Sequence, residues 1–180
     1  MGLQLESGNG NGQQVGVNRN RLDVNAKTNG RATYVSREDG ACYFWTHAYN
    51  YAGADTLLWL ANTSTTKNLH IEKVHVLGDT ATQFTIHSPA YAAPAGTAVT
   101  GTNSNRTSGN VADASCYGDE TNNSQLNMLV QGLLTAGGAE HDFSVDGKLI
   151  LGYHDCIAVD FVTAGGLGAI TIVGYYEDRE

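Results

Sequence analysis

TQFTIHS, residues 82–88, decides the fold class. Phe84 and Ile86 stand two apart, with Gln83, Thr85 and His87 in the alternate places. A period of two sends the apolar side chains to one face of a strand and the polar ones to the other. The same signal recurs outward from this stretch. Upstream lie NLHIEKVHVLG (68–78), DTLLWLANTS (55–64), ACYFWTHAYNY (41–51) and ATYVS (32–36), all rich in β-branched and aromatic residues. In the first of these, Leu69, Ile71, Lys73 and His75 alternate against His70, Glu72, Val74 and Val76. Downstream lie QLNMLVQGLL (125–134), which also reads as a short helix, then EHDFSVDG (140–147), KLILG (148–152), DCIAVDFVT (155–163) and GAITIVGYYE (168–177). Residues 88–124 are polar and predict at most one or two short strands, near Val99 and Val111. Strand candidates separated by turn residues at roughly 8 to 14 residues, without βαβ spacing, predict an all-β antiparallel two-sheet sandwich or jelly roll.

Composition agrees. Gly occurs 22 times and Pro twice in 180 residues, and 16% of residues are charged. That mixture suits short strands and many turns. The net charge of −8 is unevenly spread: residues 1–40 carry five basic and four acidic groups, residues 41–180 five basic and fourteen acidic. So acidic a body argues against nucleic acid as a partner, because phosphates are repelled. No apolar run of membrane-spanning length occurs, and the N-terminus lacks the pattern of a secretory signal. Cys42, Cys116 and Cys156 are odd in number and widely spaced, which predicts buried free thiols, with a Cys42–Cys156 bridge left open.

The basic residues Arg19, Arg21, Lys27, Arg31 and Arg37 are half of the chain's ten, gathered in a stretch with few large apolar side chains. Residues 1–31 therefore read as an extended N-terminal arm with an Asn-Gly turn at 28–31, and residues 32–180 as the sandwich domain. An arm of this kind orders against a partner of opposite charge.

No motif for a cofactor, a metal or a nucleophile emerges. The six histidines never form H-x-H; His70 and Glu72 share a face without a third ligand, and His70 and His75, five apart, are expected on opposite faces. No G-x-S-x-G elbow is present. Asp142, Asp146, Asp155 and Asp160 read more simply as scattered carboxylates than as a cross-strand pair. The expectation is a non-enzymatic protein. Tyr43, Phe44, Trp45, Tyr49 and Tyr51 crowd one strand; core, subunit interface and glycan surface all use such rings, and Tyr43, Trp45, Tyr49 and Tyr51 are the candidates for the latter two.

Three strings, VNRNRLDVNAKTNGRATYVSREDGACYFW (17–45), LLWLANTSTTKNLHIEKV (57–74) and DGKLILGYHDCIAVDFVTAGGLGAITIVGYYE (146–177), resemble structural proteins of tailed-bacteriophage virions. The layout is similar to capsid decoration, or cement, proteins. That resemblance implies a jelly-roll body and an arm clamping the major capsid protein lattice from outside. It implies a homo-trimer on the outer surface of the phage head, made in the host cytoplasm, without cofactor, nucleic acid or membrane as partner. The alternative is a head-fibre or tail module that binds host surface carbohydrate through the aromatic strand and the 88–124 loop.

Overall fold

The computed structural model describes residues 17–18, 21–22, 31–51, 53, 55–92, 95–120, 126–164 and 166–179. The chain divides into two units, Met1–Gly30 and Arg31–Glu180. In the first, β1 (Val17–Asn18) and β2 (Arg21–Leu22) form a two-residue antiparallel ladder. Arg19, Lys27 and the rest of the expected arm before Arg31 lie outside the described residues.

The second unit begins with one helical turn, α1 (Arg31–Tyr34), followed by a wider π-type turn, Val35–Asp39. A strand was expected over 32–36. The turn forms instead because Ala32 and Val35, three apart, both pack on the core, which is a helical and not a strand period. Gly40 ends it in the left-handed conformation, φ 58°. Its carbonyl accepts from Asn103 Nδ2 at 2.7 Å and from Ser108 Oγ at 3.3 Å, fastening the turn to the loop at 103–110.

Eleven strands follow: β3 (Cys42–Tyr51), β4 (Asp55–Asn62), β5 (Lys67–Gly78), β6 (Thr82–His87), β7 (Thr97–Ala98), β8 (Thr102–Asn103), β9 (Ala114–Glu120), β10 (Met128–Leu134), β11 (Ala139–Leu151), β12 (Cys156–Phe161) and β13 (Gly166–Asp178). Their pairing is nested. β3 pairs β13, β4 pairs β12, β5 pairs β11, β6 pairs β10 and β7 pairs β9, all antiparallel, with β8 near the tip. The unit is thus one long two-stranded ribbon rolled up, which is how a jelly roll is wound. Successive ribbon pairs fall in alternate sheets along most of its length. The result is a six-stranded sheet β10-β6-β12-β4-β9-β7 and a five-stranded sheet β11-β5-β13-β3-β8.

The core lies between the sheets. The five-stranded sheet supplies Tyr43, Trp45, Leu69, Ile71, Val74, Val76, Ile170 and Ile172, and the six-stranded sheet Leu58, Leu60, Phe84, Ile86, Ile157, Val159 and Phe161. β5 holds a correction to the expected alternation. Lys73 pairs with Val173 and Ile71 with Gly174, so Glu72 is an extra residue, a bulge. The bulge resets the phase, which lets Leu69, Ile71, Val74 and Val76 all point inward and leaves His70 and His75 both on the outer face. Residues 128–134 are strand and not helix, and the polar 88–124 stretch contains a seven-residue strand, β9. Cys42, Cys116 and Cys156 are free and buried.

Candidate functional site

Burial along β3 sorts the candidate aromatics. Tyr43, Trp45 and Tyr51 are 1–2% exposed and belong to the core, so their rings are closed to a glycan or to a subunit partner. Tyr51 is further fixed by donating its hydroxyl to Leu57 O at 3.1 Å. Phe44, on the opposite face, is 40% exposed; Tyr49 shares the face of Tyr43, Trp45 and Tyr51 yet is 47% exposed. Tyr49 is the one member of the candidate set at the surface, its ring stacked near His47 and edge-on to Tyr51.

The basic residues are sorted as well. Arg31 belongs to α1 of the body, where its guanidinium donates to Glu177 on β13 and lies 5.3 Å from the centre of the Tyr34 ring. Glu177 holds the Arg31 guanidinium above its ordinary range. Arg37 is exposed beside Glu38 at 3.1 Å. Both are therefore partly neutralised by their own body. Arg21 sits in the small ladder.

Arg31 stands at the wall of a cavity of about 520 Å³ where the body begins. Asp39, Lys67, Tyr176, Glu177 and Asp178 line it too. A second pocket of about 160 Å³ shares Ala41, Lys67 and Tyr176 with it and adds Tyr43 and the exposed Asn110, Val111 and Asp113. The strand ends of β3, β5 and β13 position these groups, and the loop after β8 closes the pocket from the side. Tyr176 is 5% exposed, and its hydroxyl has no hydrogen-bond partner among the described residues. Burial pushes that phenol upward, and Asp113, Tyr43 and Cys116 push it the same way. Sequence reading missed this cleft because its members come from five separate segments and share no motif.

The histidines and carboxylates are distributed, not gathered. His75 Nδ1 and Lys73 Nζ each lie 2.7 Å from Asp142, whose carboxyl is held low by Lys73 first and His75 second. His70 stacks on Tyr175 at 5.1 Å and reaches Glu177 at 3.4 Å. Asp146 accepts from Ser144 Oγ, and Asp155 from the Gly152 amide. His87 and Asp160, 2.8 Å apart and both fully buried, sit on the far face of the six-stranded sheet, where Tyr91 lies over Trp59. Such a closed pair has no route for a substrate. Among the described residues no three His, Cys, Asp or Glu side chains are grouped to hold a metal ion. No helix of the described residues is long and apolar enough to cross a membrane.

One surface is apolar. β10 and β11 are the end strands of their sheets on the same side of the sandwich. Between them opens a hollow of about 270 Å³ walled by Ile86, Val130, Phe143, Val145 and Leu149. Leu129 lines it and is exposed; Leu126 and Met128 before it in sequence are exposed too, as is Leu133, by 69%, on the opposite face of β10.

Comparison of the chain with family models, with curated proteins and with solved structures finds no match.

Proposed function

We propose that the chain is a non-enzymatic structural protein of a bacteriophage virion, a decoration subunit that binds the outer surface of the major capsid protein lattice and stabilises the head. The observation that carries this reading is the segregation of charge. Three of the ten basic residues, Arg19, Arg21 and Lys27, precede the body, while residues 41–180 hold fourteen acidic groups against five basic. The two-sheet core is formed within residues 31–180, and the proposal assigns the leading segment to attachment. A cationic segment that orders against a partner wraps a large area at modest affinity per unit area. The acidic body then faces solvent and keeps neighbouring particles apart.

The resemblance also implies a homo-trimer, and the apolar margin of β10 supports a contact between copies. Leu129, exposed at an apolar hollow, and Leu133, exposed on the other face of the same end strand, match a subunit interface better than a free surface. Linked copies multiply attachment: three weak arms on one trimer raise avidity by roughly a hundredfold or more. For the carbohydrate alternative, Tyr43, Trp45 and Tyr51 are core rings, which leaves it Tyr49 and the 88–124 loop.

Electron cryomicroscopy of virions carrying the protein tests the reading. The expected result is sandwich density outside the lattice at three-fold or quasi-three-fold positions; density confined to the tail would overturn it.

A further inference from the structure

The ring of His70 sits where two acceptors converge. It is 13% exposed on β5 and stacks on Tyr175 of β13 at 5.1 Å, with the planes 9° apart. Nδ1 stands 3.1 Å from the carbonyl oxygen of Gly147, and Nε2 stands 3.4 Å from Oε2 of Glu177. The other oxygen of that carboxylate, Oε1, accepts from the Arg31 guanidinium. Four elements are therefore joined in a line: Gly147 on β11, His70 on β5, Glu177 on β13 and Arg31 on α1. The first member belongs to an irregular piece of β11. Ser144 pairs with Lys73 and Leu149 with Ile71, so residues 145–148 leave the β5 ladder as an arch opposite Glu72. Asp146 and Gly147 are both left-handed there, φ 50° and 71°. A side chain at Gly147 would run into the Tyr175 hydroxyl, which backs the arch. Val145 and Lys148 of the same arch wall the apolar hollow.

The chemistry of the ring makes this line conditional. A carbonyl and a carboxylate only accept, so each ring nitrogen needs its own hydrogen to satisfy the group it faces. The neutral imidazole carries one N–H and the imidazolium two. The Gly147 contact is the shorter and has hydrogen-bond geometry, so a neutral ring keeps its hydrogen on Nδ1 and turns a lone pair toward Glu177. The ionisable groups around the ring are Glu177 and Arg31 beyond Nε2, Glu72 on its own strand, and Asp146 and Lys148 on the arch. Tyr175 is the sixth, its phenol pushed upward by burial first and by Glu177 and Glu72 next. None of these residue types ordinarily changes charge between about pH 5 and 8, where histidine does. We propose that His70 is a proton-operated strap: the imidazolium ties Gly147 and Glu177 together and so connects the β11 arch with the Arg31 turn, and the neutral ring holds the arch alone. Acidification closes the strap at Glu177, and raising the pH opens it. The strap runs from a wall of the apolar hollow to the residue at which the body begins, and it is independent of what the protein attaches to.

The test is an NMR titration of the isotope-labelled full chain from about pH 5 to 8. It is read at the His70 ring nitrogens, the Arg31 Nε–H and the Glu177 carboxyl carbon. The ring should pass from two protonated nitrogens to one, with the remaining hydrogen on Nδ1. The Arg31 and Glu177 signals should shift with the same midpoint as the ring. His70→Gln keeps an amide donor for Gly147 but takes up no proton, so that shift should be lost in it. In Glu177→Gln the ring should still titrate while the Arg31 signal no longer follows it. The proposal is overturned if the ring keeps one protonation state throughout, or if its remaining hydrogen is on Nε2. It is equally overturned if Arg31 and Glu177 stay still while the ring titrates, or if their shift persists in His70→Gln.

Discussion

Trp45 and Tyr49 lie on one strand and predict opposite behaviour. Trp45 is 1% exposed between the sheets, and Trp45→Ala should cost about 3–5 kcal/mol. Tyr49 is exposed, so Tyr49→Ala should cost about 1 kcal/mol or less. Chemical denaturation of the two variants reads the difference directly; similar losses would contradict the burial of the one and the exposure of the other. The alternation in the sequence separated Phe44 from Tyr43 and Trp45, but not which side was core, because both faces of β3 carry rings. His47 makes a second residue-scale prediction. Its ring lies against Gly118, where an added Cβ would stand 2.2 Å away, and burial lowers its pKa, with Asp119 opposing. The native state thus binds the proton less readily than the unfolded chain. Stability from this group is present above the unfolded value of about 6.5 and is lost as pH falls from there through the lower folded value. Thermal melts across that range should show a fall in Tm on acidification that is smaller in His47→Gln. An equal fall in the variant would remove His47 as the cause.

Among elements, the strands around Phe84, Ile157 and Ile170 were legible because one face alternates cleanly or the whole segment is apolar. Three others were not. The 31–39 turn hides in a β-branched string, since Ala32 and Val35 alone set its period. β9 reads as a loop because a Ser, a Gly and two acids dilute its apolar residues, and its strand state comes from pairing between β4 and β7. The phase of β5 changes at Glu72, and a bulge has no signature in composition. The Tyr176 cleft was likewise invisible before the strand ends met. β10 carries the prediction at this scale. Leu133→Lys and Leu129→Lys place charge on exposed positions, so each should change stability by no more than about 0.5 kcal/mol. Native mass spectrometry should nevertheless report trimer for the parent and monomer for the double variant. A parent that is monomeric throughout would remove the interface from the proposal.

At the scale of the whole molecule, two features combine. The nested ribbon buries its apolar faces within residues 31–180, and the acidic groups outnumber the basic ones on that body. The basic residues ahead of it supply the complementary charge. Of the five basic residues read as one attachment segment, Arg31 is bound to Glu177 and Arg37 to Glu38, so the proposed attachment rests on Arg19, Arg21 and Lys27. Binding through these three should weaken with added salt, because exposed charges are screened over about 8–10 Å at moderate ionic strength. The most direct measurement is the affinity of purified protein for mature capsids lacking it, for the full chain and for residues 31–180. The account predicts saturable binding by the full chain and its loss in the shortened form; equal binding by both would contradict it.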